Sequence, residues 1–197
     1  VSAVKIRGQT FALKWYFTGA DDTRNRLDAE WRFLRYARNI GLDCVPSPLA
    51  SDTKNSVALY DFIEGAKIAP GAVSSKAVDQ AADFFCALND RAASSGSGKD
   101  LPIASEACFS IDSHFAMLDQ RLGRLDNIVP ESDEDHAAHA LVVVIKEHWE
   151  NLKDVISKRA GELGINTGLD LDENERCISP SDFGFHNAIA TANDDLF

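Results

Sequence analysis

Gln9 to Phe17 reads QTFALKWYF, and it is closely followed by an amphipathic stretch that turns one carboxylate inward. Together the two segments require a strand and a helix to face each other. The first has the aromatic and aliphatic bias of a strand. Side chains alternate across a strand, so Phe11, Leu13, Trp15 and Phe17 share one face and Ala12, Lys14 and Tyr16 the other. From Asp22 to Gly41 the apolar residues Leu27, Trp31, Leu34 and Ala37 recur at spacings of three and four, which predicts a helix with Gly41 as its stop. Glu30 lies three after Leu27 and four before Leu34, so it points inward with the apolar stripe. An inward carboxylate is costly unless it meets a positive partner. Lys14, standing beside a small residue on the preceding strand, is the expected partner. Two other arrangements are open to these residues: Lys14 snorkelling from a half-buried sheet, and Glu30 paired with Arg26 or Arg38 along its own helix.

Two further segments carry chemistry. Ser56 to Gly65, SVALYDFIEG, is an apolar run that turns polar at Asp61 and stops at Gly65. This predicts a strand entering a glycine-terminated linker. Near the carboxyl end, Pro180 to Ala190 reads PSDFGFHNAIA, with Asp182 and Asn187 in a D-x-x-x-x-N spacing. Asn187 to Ala190 reads as a short strand, Thr191 to Asp195 as a turn, and Leu196-Phe197 as the start of a returning strand.

In their order along the chain, FALKWYF, the Glu30 helix, LYDFIEG and PSDFGFHNAIA resemble the aminoglycoside phosphotransferase and choline kinase-like family, relatives of the protein kinases. The resemblance covers about a third of the chain. It implies an α+β, protein-kinase-like two-lobed fold, with a β-rich amino-terminal lobe over 1–64 and a mostly helical lobe over 65–197. It further implies an ATP- and magnesium-dependent transfer of the γ-phosphate to a hydroxyl of a small molecule. Asp182 would be the base, Asn187 a magnesium ligand, Lys14 a phosphate ligand and Glu30 its orienter. Main-chain groups of the linker, at Asp61 and Ile63, would meet the adenine edge. The family's loop usually begins His-Gly-Asp, whereas this chain has Pro180-Ser181-Asp182. That departure keeps the acid and the amide but removes a supporting histidine, a place His186 could take. Asp182-Phe183-Gly184 also spells the other magnesium-binding motif of protein kinases. A D-x-x-x-x-N loop should then lie upstream, and Asp170 with Asn174 has the wrong spacing, so Asp182 takes the loop role.

By the same resemblance, a second metal ligand would follow the returning strand and a glycine-rich strand pair would precede Lys14. The chain thus reads as the middle of such a protein, expected to be nearly inactive by itself. The alternative is a catalytically silent nucleotide-binding or regulatory module on the same fold.

The remaining sequence is mainly helical. Ser75 to Ala93 is expected to place Val78, Ala81, Ala82, Phe85 and Leu88 on one face, with Ala93 to Asp100 (ASSGSGKD) as a loop. Ser110 to Ile128 and Glu134 to Leu163 read as two more helices. His136 and His139 share a helix face, but the acidic residues beside them read as a helix-starting cap and a solvated surface rather than a metal site. Residues 1–38 hold eight Lys/Arg against four Asp/Glu, and residues 39–197 twelve against twenty-seven. The acidic remainder argues against a nucleic-acid partner and favours a cationic substrate through steering. Four scattered cysteines without a C-x-x-C pair suggest reduced thiols in a cytoplasmic protein. The longest apolar run, Ala140 to Ile145, is too short for a membrane span.

Overall fold

The computed structural model describes residues 1–19, 24–90, 97–126, 129–180 and 182–197. The architecture is α+β, with a small antiparallel sheet and several helices. Contacts divide the chain into two compact units, Val1–Ser105 with Cys177–Phe197, and Glu106–Arg176. The first unit therefore combines the expected 1–64 lobe with a helix and the carboxyl-terminal segment.

The sheet of the first unit holds β1 (Ser2–Ile6), β2 (Gln9–Trp15), β3 (Pro48–Asp52) and β4 (Val57–Asp61) in the order β1-β2-β4-β3. Arg7 and Gly8 join β1 to β2 with φ of 51° and 88°, the two-residue turn whose twist matches that of a hairpin. β3 lies outside the sequence expectations. It is short and mostly exposed, sits at the sheet edge, begins at a proline and carries a register shift between Pro48 and Ala50.

Helix α1 spans Arg26–Asn39, capped by the Asn25 side chain accepting from the Asp28 N–H. The expected start at Asp22 lies outside the described residues, and Gly41, with φ of 87°, ends the segment as expected. Leu27, Leu34, Tyr36 and Ala37 of α1 pack with Tyr16, Ala58 and Tyr60 of the sheet. The bulkier face of β2 is thus not the core face, for Trp15 is 56% and Phe17 69% exposed. Pairing decides this. The β2–β4 register sets Ala12 opposite Tyr60 and Lys14 opposite Ala58, so the face with the small residues and the lysine meets α1.

β5 (Ala66–Lys67) precedes helix α2 (Ser75–Leu88), which starts on the Ser74 side-chain cap. The inward stripe of α2 runs through Ala77, Phe84 and Leu88, while Val78 is 50% and Phe85 38% exposed. The expected face is therefore turned by about one residue. α2 is apolar on several sides, and its partner selects the rotation: Phe84 meets the ring of Phe183 at 5.7 Å. Of the expected loop, Ala93 to Gly96 lie outside the described residues and Ser97–Asp100 form a 3-10 turn.

In the second unit, α3 (Ile111–Leu125) and α4 (Asp133–Glu162) both begin with capping boxes, from Ser110 with Ser113 and Ser132 with Asp135. α4 is an unbroken helix of 30 residues. Phe115 packs edge-on against Trp149, and Asp119 accepts from the Trp149 indole and from Lys153. Among the described residues, no helix is long and apolar enough to cross a membrane.

Candidate functional site

Lys14 and Glu30 form an ion pair of 2.5 Å between β2 and α1. Their side chains are 34% and 32% exposed, so the pair sits at the edge of the core. The other pairings open to Glu30 do not displace it: Arg38 instead reaches Asp43 at 2.8 Å. Neighbouring elements explain the placement. Strand alternation turns Lys14 towards α1, and helical periodicity turns Glu30 towards the sheet.

Two tyrosines stand beside the pair. The Tyr16 and Tyr60 hydroxyls are hydrogen-bonded at 2.5 Å, and the Lys14 ammonium lies 5.0 Å from the Tyr16 ring centroid. Burial first, then the bond with Tyr60 and the nearby Glu30 carboxylate, push the Tyr16 hydroxyl far above the ordinary phenol range. Burial also pushes Tyr60 up to about 12, with the Glu30 charge adding to it and the Tyr16 hydrogen bond opposing it. Charge on either phenol would be poorly solvated and close to a carboxylate, so both are neutral at physiological pH.

Asp182 and Asn187 meet directly. The Asn187 side-chain amide donates to the Asp182 backbone carbonyl at 3.0 Å and to Asp182 Oδ2 at 2.9 Å. His186 Nε2 lies 3.4 Å from Asp182 Oδ1 and 3.1 Å from Asn187 Nδ2. A 3-10 turn over Phe185–Asn187 folds the amide back over the acid. Asp182 has φ of 61°, a left-handed conformation that Asp tolerates better than most residues. Its side chain is 77% exposed and that of His186 68%. The acid, amide and imidazole thus share one side of the loop and are open to solvent.

Helix α2 and the linker hold this loop. Along α2, Lys76 donates to the Asn193 carbonyl, Phe84 meets Phe183, and Asn89 exchanges two hydrogen bonds with the Ile178 backbone. The carboxyl-terminal segment therefore runs antiparallel to α2. After the loop, β6 (Ile189–Ala190) pairs with β5, and the chain returns through the Thr191–Asp195 turn so that Ile189 and Phe197 exchange backbone hydrogen bonds. Gly65 permits the β5–β6 approach, for a Cβ there would lie 2.5 Å from the Ala190 carbonyl oxygen.

The expected linker residues are placed differently from each other. Asp61 closes β4 onto the residue before β3, its N–H donating to the Ser47 carbonyl and its Oδ1 accepting from the Ser47 N–H. Ile63 lies in the irregular link between β4 and β5. The Tyr16–Tyr60 pair escaped the sequence reading. Alternation puts Tyr16 beside Lys14, but only the strand register brings Tyr60 to the same face. Among the described residues no three His, Cys, Asp or Glu side chains gather as a metal cage, those of His136 and His139 included. No family model, curated protein or solved structure matches the chain.

Proposed function

We propose that this chain belongs to a protein-kinase-like, ATP- and magnesium-dependent phosphotransferase acting on a hydroxyl of a small molecule. The carrying observation is the 2.5 Å Lys14–Glu30 pair between the second strand and the first helix. It supports the reading because a phosphate-binding lysine must be held extended, and a carboxylate on a packed helix does that. The Asp182–Asn187 contact is the second support, from the carboxyl-terminal segment of the same compact unit.

On this reading Lys14 binds phosphate oxygens of the nucleotide and Glu30 orients it. Asp182 accepts the proton of the attacking hydroxyl, with its carboxylate steadied by Asn187 and His186. Magnesium is commonly bound by one or two protein oxygens together with phosphates, and needs no all-protein cage. The Asn187 Oδ1 is a donor of that class, since the Asn187 amide nitrogen is already engaged with Asp182. The bound metal would offset phosphate charge during transfer.

Equilibrium binding of ATP with magnesium to wild-type, Lys14→Met and Asp182→Asn chains is the test, with phosphoryl transfer measured against amines, sugars and aminoglycosides. Lys14→Met should weaken ATP binding about tenfold or more, a loss of about 1.4 kcal/mol. Asp182→Asn should bind ATP and abolish transfer. ATP binding that Lys14→Met leaves unchanged refutes the assignment. Binding sensitive to Lys14 without transfer to any acceptor would identify the silent nucleotide-binding module instead.

A further inference from the structure

The two tyrosine hydroxyls meet across a gap that the sheet register leaves for them. Tyr60 stands opposite Ala12 and Lys14 opposite Ala58, while the Tyr16 N–H continues the ladder to the Ser56 carbonyl. Tyr16 and Tyr60 therefore lie on one face, on either side of the Lys14–Ala58 row. At about 3.3 Å per residue they are separated by roughly 13 Å along the strands, so both rings must lean inward to touch. Ala58, 1% exposed, has a side chain small enough to let them meet above it.

The contact is buried, with Tyr16 at 9% and Tyr60 at 3% exposure. It adjoins the carboxylate that α1 turns towards Lys14. The two hydroxyls share one hydrogen bond in which either can donate, Lys14 donates to Glu30, and the Lys14 ammonium lies 5.0 Å from the Tyr16 ring centroid. The neighbourhood of Glu30 and Tyr16 is also felt in the raised pKa of that phenol.

We propose that Tyr16 and Tyr60 are positioning residues for the Lys14–Glu30 pair, a buried relay in which the Tyr60 hydroxyl fixes the Tyr16 ring beside Lys14, so that the ammonium is held on Glu30 and presented to nucleotide phosphate. Tyr16 acts on Lys14 through its ring, and Tyr60 acts through Tyr16. This rests on the phosphotransferase reading, because nucleotide affinity is the property that the relay would tune. Neither tyrosine is assigned a contact with ATP or with the acceptor.

The test is a double-mutant cycle on ATP–magnesium binding, using Tyr16→Phe, Tyr60→Phe, Lys14→Met and each tyrosine change combined with Lys14→Met. Thermal melting of every variant is recorded alongside. Tyr16→Phe should raise the dissociation constant about tenfold, and Tyr60→Phe by a smaller factor. In the Lys14→Met background both tyrosine changes should have no further effect on binding. A purely structural role would lower the melting temperature in both backgrounds and would not produce that loss of effect. If Lys14→Met weakens binding while both tyrosine variants bind like wild type, or if the effects simply add, the relay is refuted and the functional reading stands. If wild type does not bind ATP, or Lys14→Met binds like wild type, the functional reading falls and the relay with it. Tyr60→Phe serves as the deciding variant if Tyr16→Phe does not fold.

Discussion

Replacing Tyr60 by Phe removes one hydroxyl and leaves the ring in place, so its effect on stability should depend on pH in a calculable way. Tyr60 is 3% exposed, and its folded pKa is pushed up to about 12. In the unfolded chain a tyrosine titrates near 10. The sign follows from proton binding. Above pH ~10 the folded state holds this proton and the unfolded state releases it, so ΔG of unfolding falls as pH rises. The stabilisation is fully present below pH ~10 and is lost as pH approaches the folded value. With these two values it declines by about 1.3 kcal/mol between pH 9 and pH 11. Near neutral pH, Tyr60→Phe should cost about 1–2 kcal/mol, because Tyr16 loses its hydroxyl partner in a buried setting.

The variant lacks the Tyr60 proton, so its stability curve should be shallower above pH 10. The wild-type advantage should therefore shrink by about 1 kcal/mol from pH 9 to pH 11, as the lysines and the remaining tyrosines titrate in both proteins. Urea unfolding followed by circular dichroism at pH 8, 9, 10 and 11 measures this difference directly. A wild-type advantage that stays constant across that range, or grows, would show that Tyr60 titrates as an ordinary phenol and that its burial beside Glu30 has been misjudged.

Two other substitutions test the framework around the site. Gly65→Ala should destabilise the chain by about 1–3 kcal/mol, because the added Cβ would meet the Ala190 carbonyl oxygen and the Ile189 side chain, each at 2.5 Å. Amide hydrogen exchange should show the loss concentrated at the paired residues Ala66, Lys67 and Ala190, and unchanged protection there would refute the close β5–β6 approach. Leu88→Ala removes a side chain that is 0% exposed in the first unit's core and should cost roughly 3–5 kcal/mol by denaturant unfolding. A loss below about 1 kcal/mol would mean that the end of α2 is not packed as described.

Local chemistry is what the sequence determined by itself. Strand alternation placed Lys14 with Ala12 and Tyr16, and helical spacing turned Glu30 inward. These two rules sufficed to predict their contact, because β2 and α1 are near in the chain and each has only one buried side. The stop at Gly41 and the Thr191–Asp195 turn were legible for the same reason, since each depends on a few adjacent residues. The tertiary structure decided whatever depended on a distant partner. The exposed edge strand β3 has no periodic apolar signal and exists because β4 offers it hydrogen bonds. The rotation of α2 could not be read from a helix apolar on several sides, and Phe183, remote in sequence, settles it. The Tyr16–Tyr60 contact needs a register between strands separated by a helix and a further strand. Side-chain periods are short, whereas register and helix rotation are set by which surfaces meet, and that information is held by the folded chain as a whole.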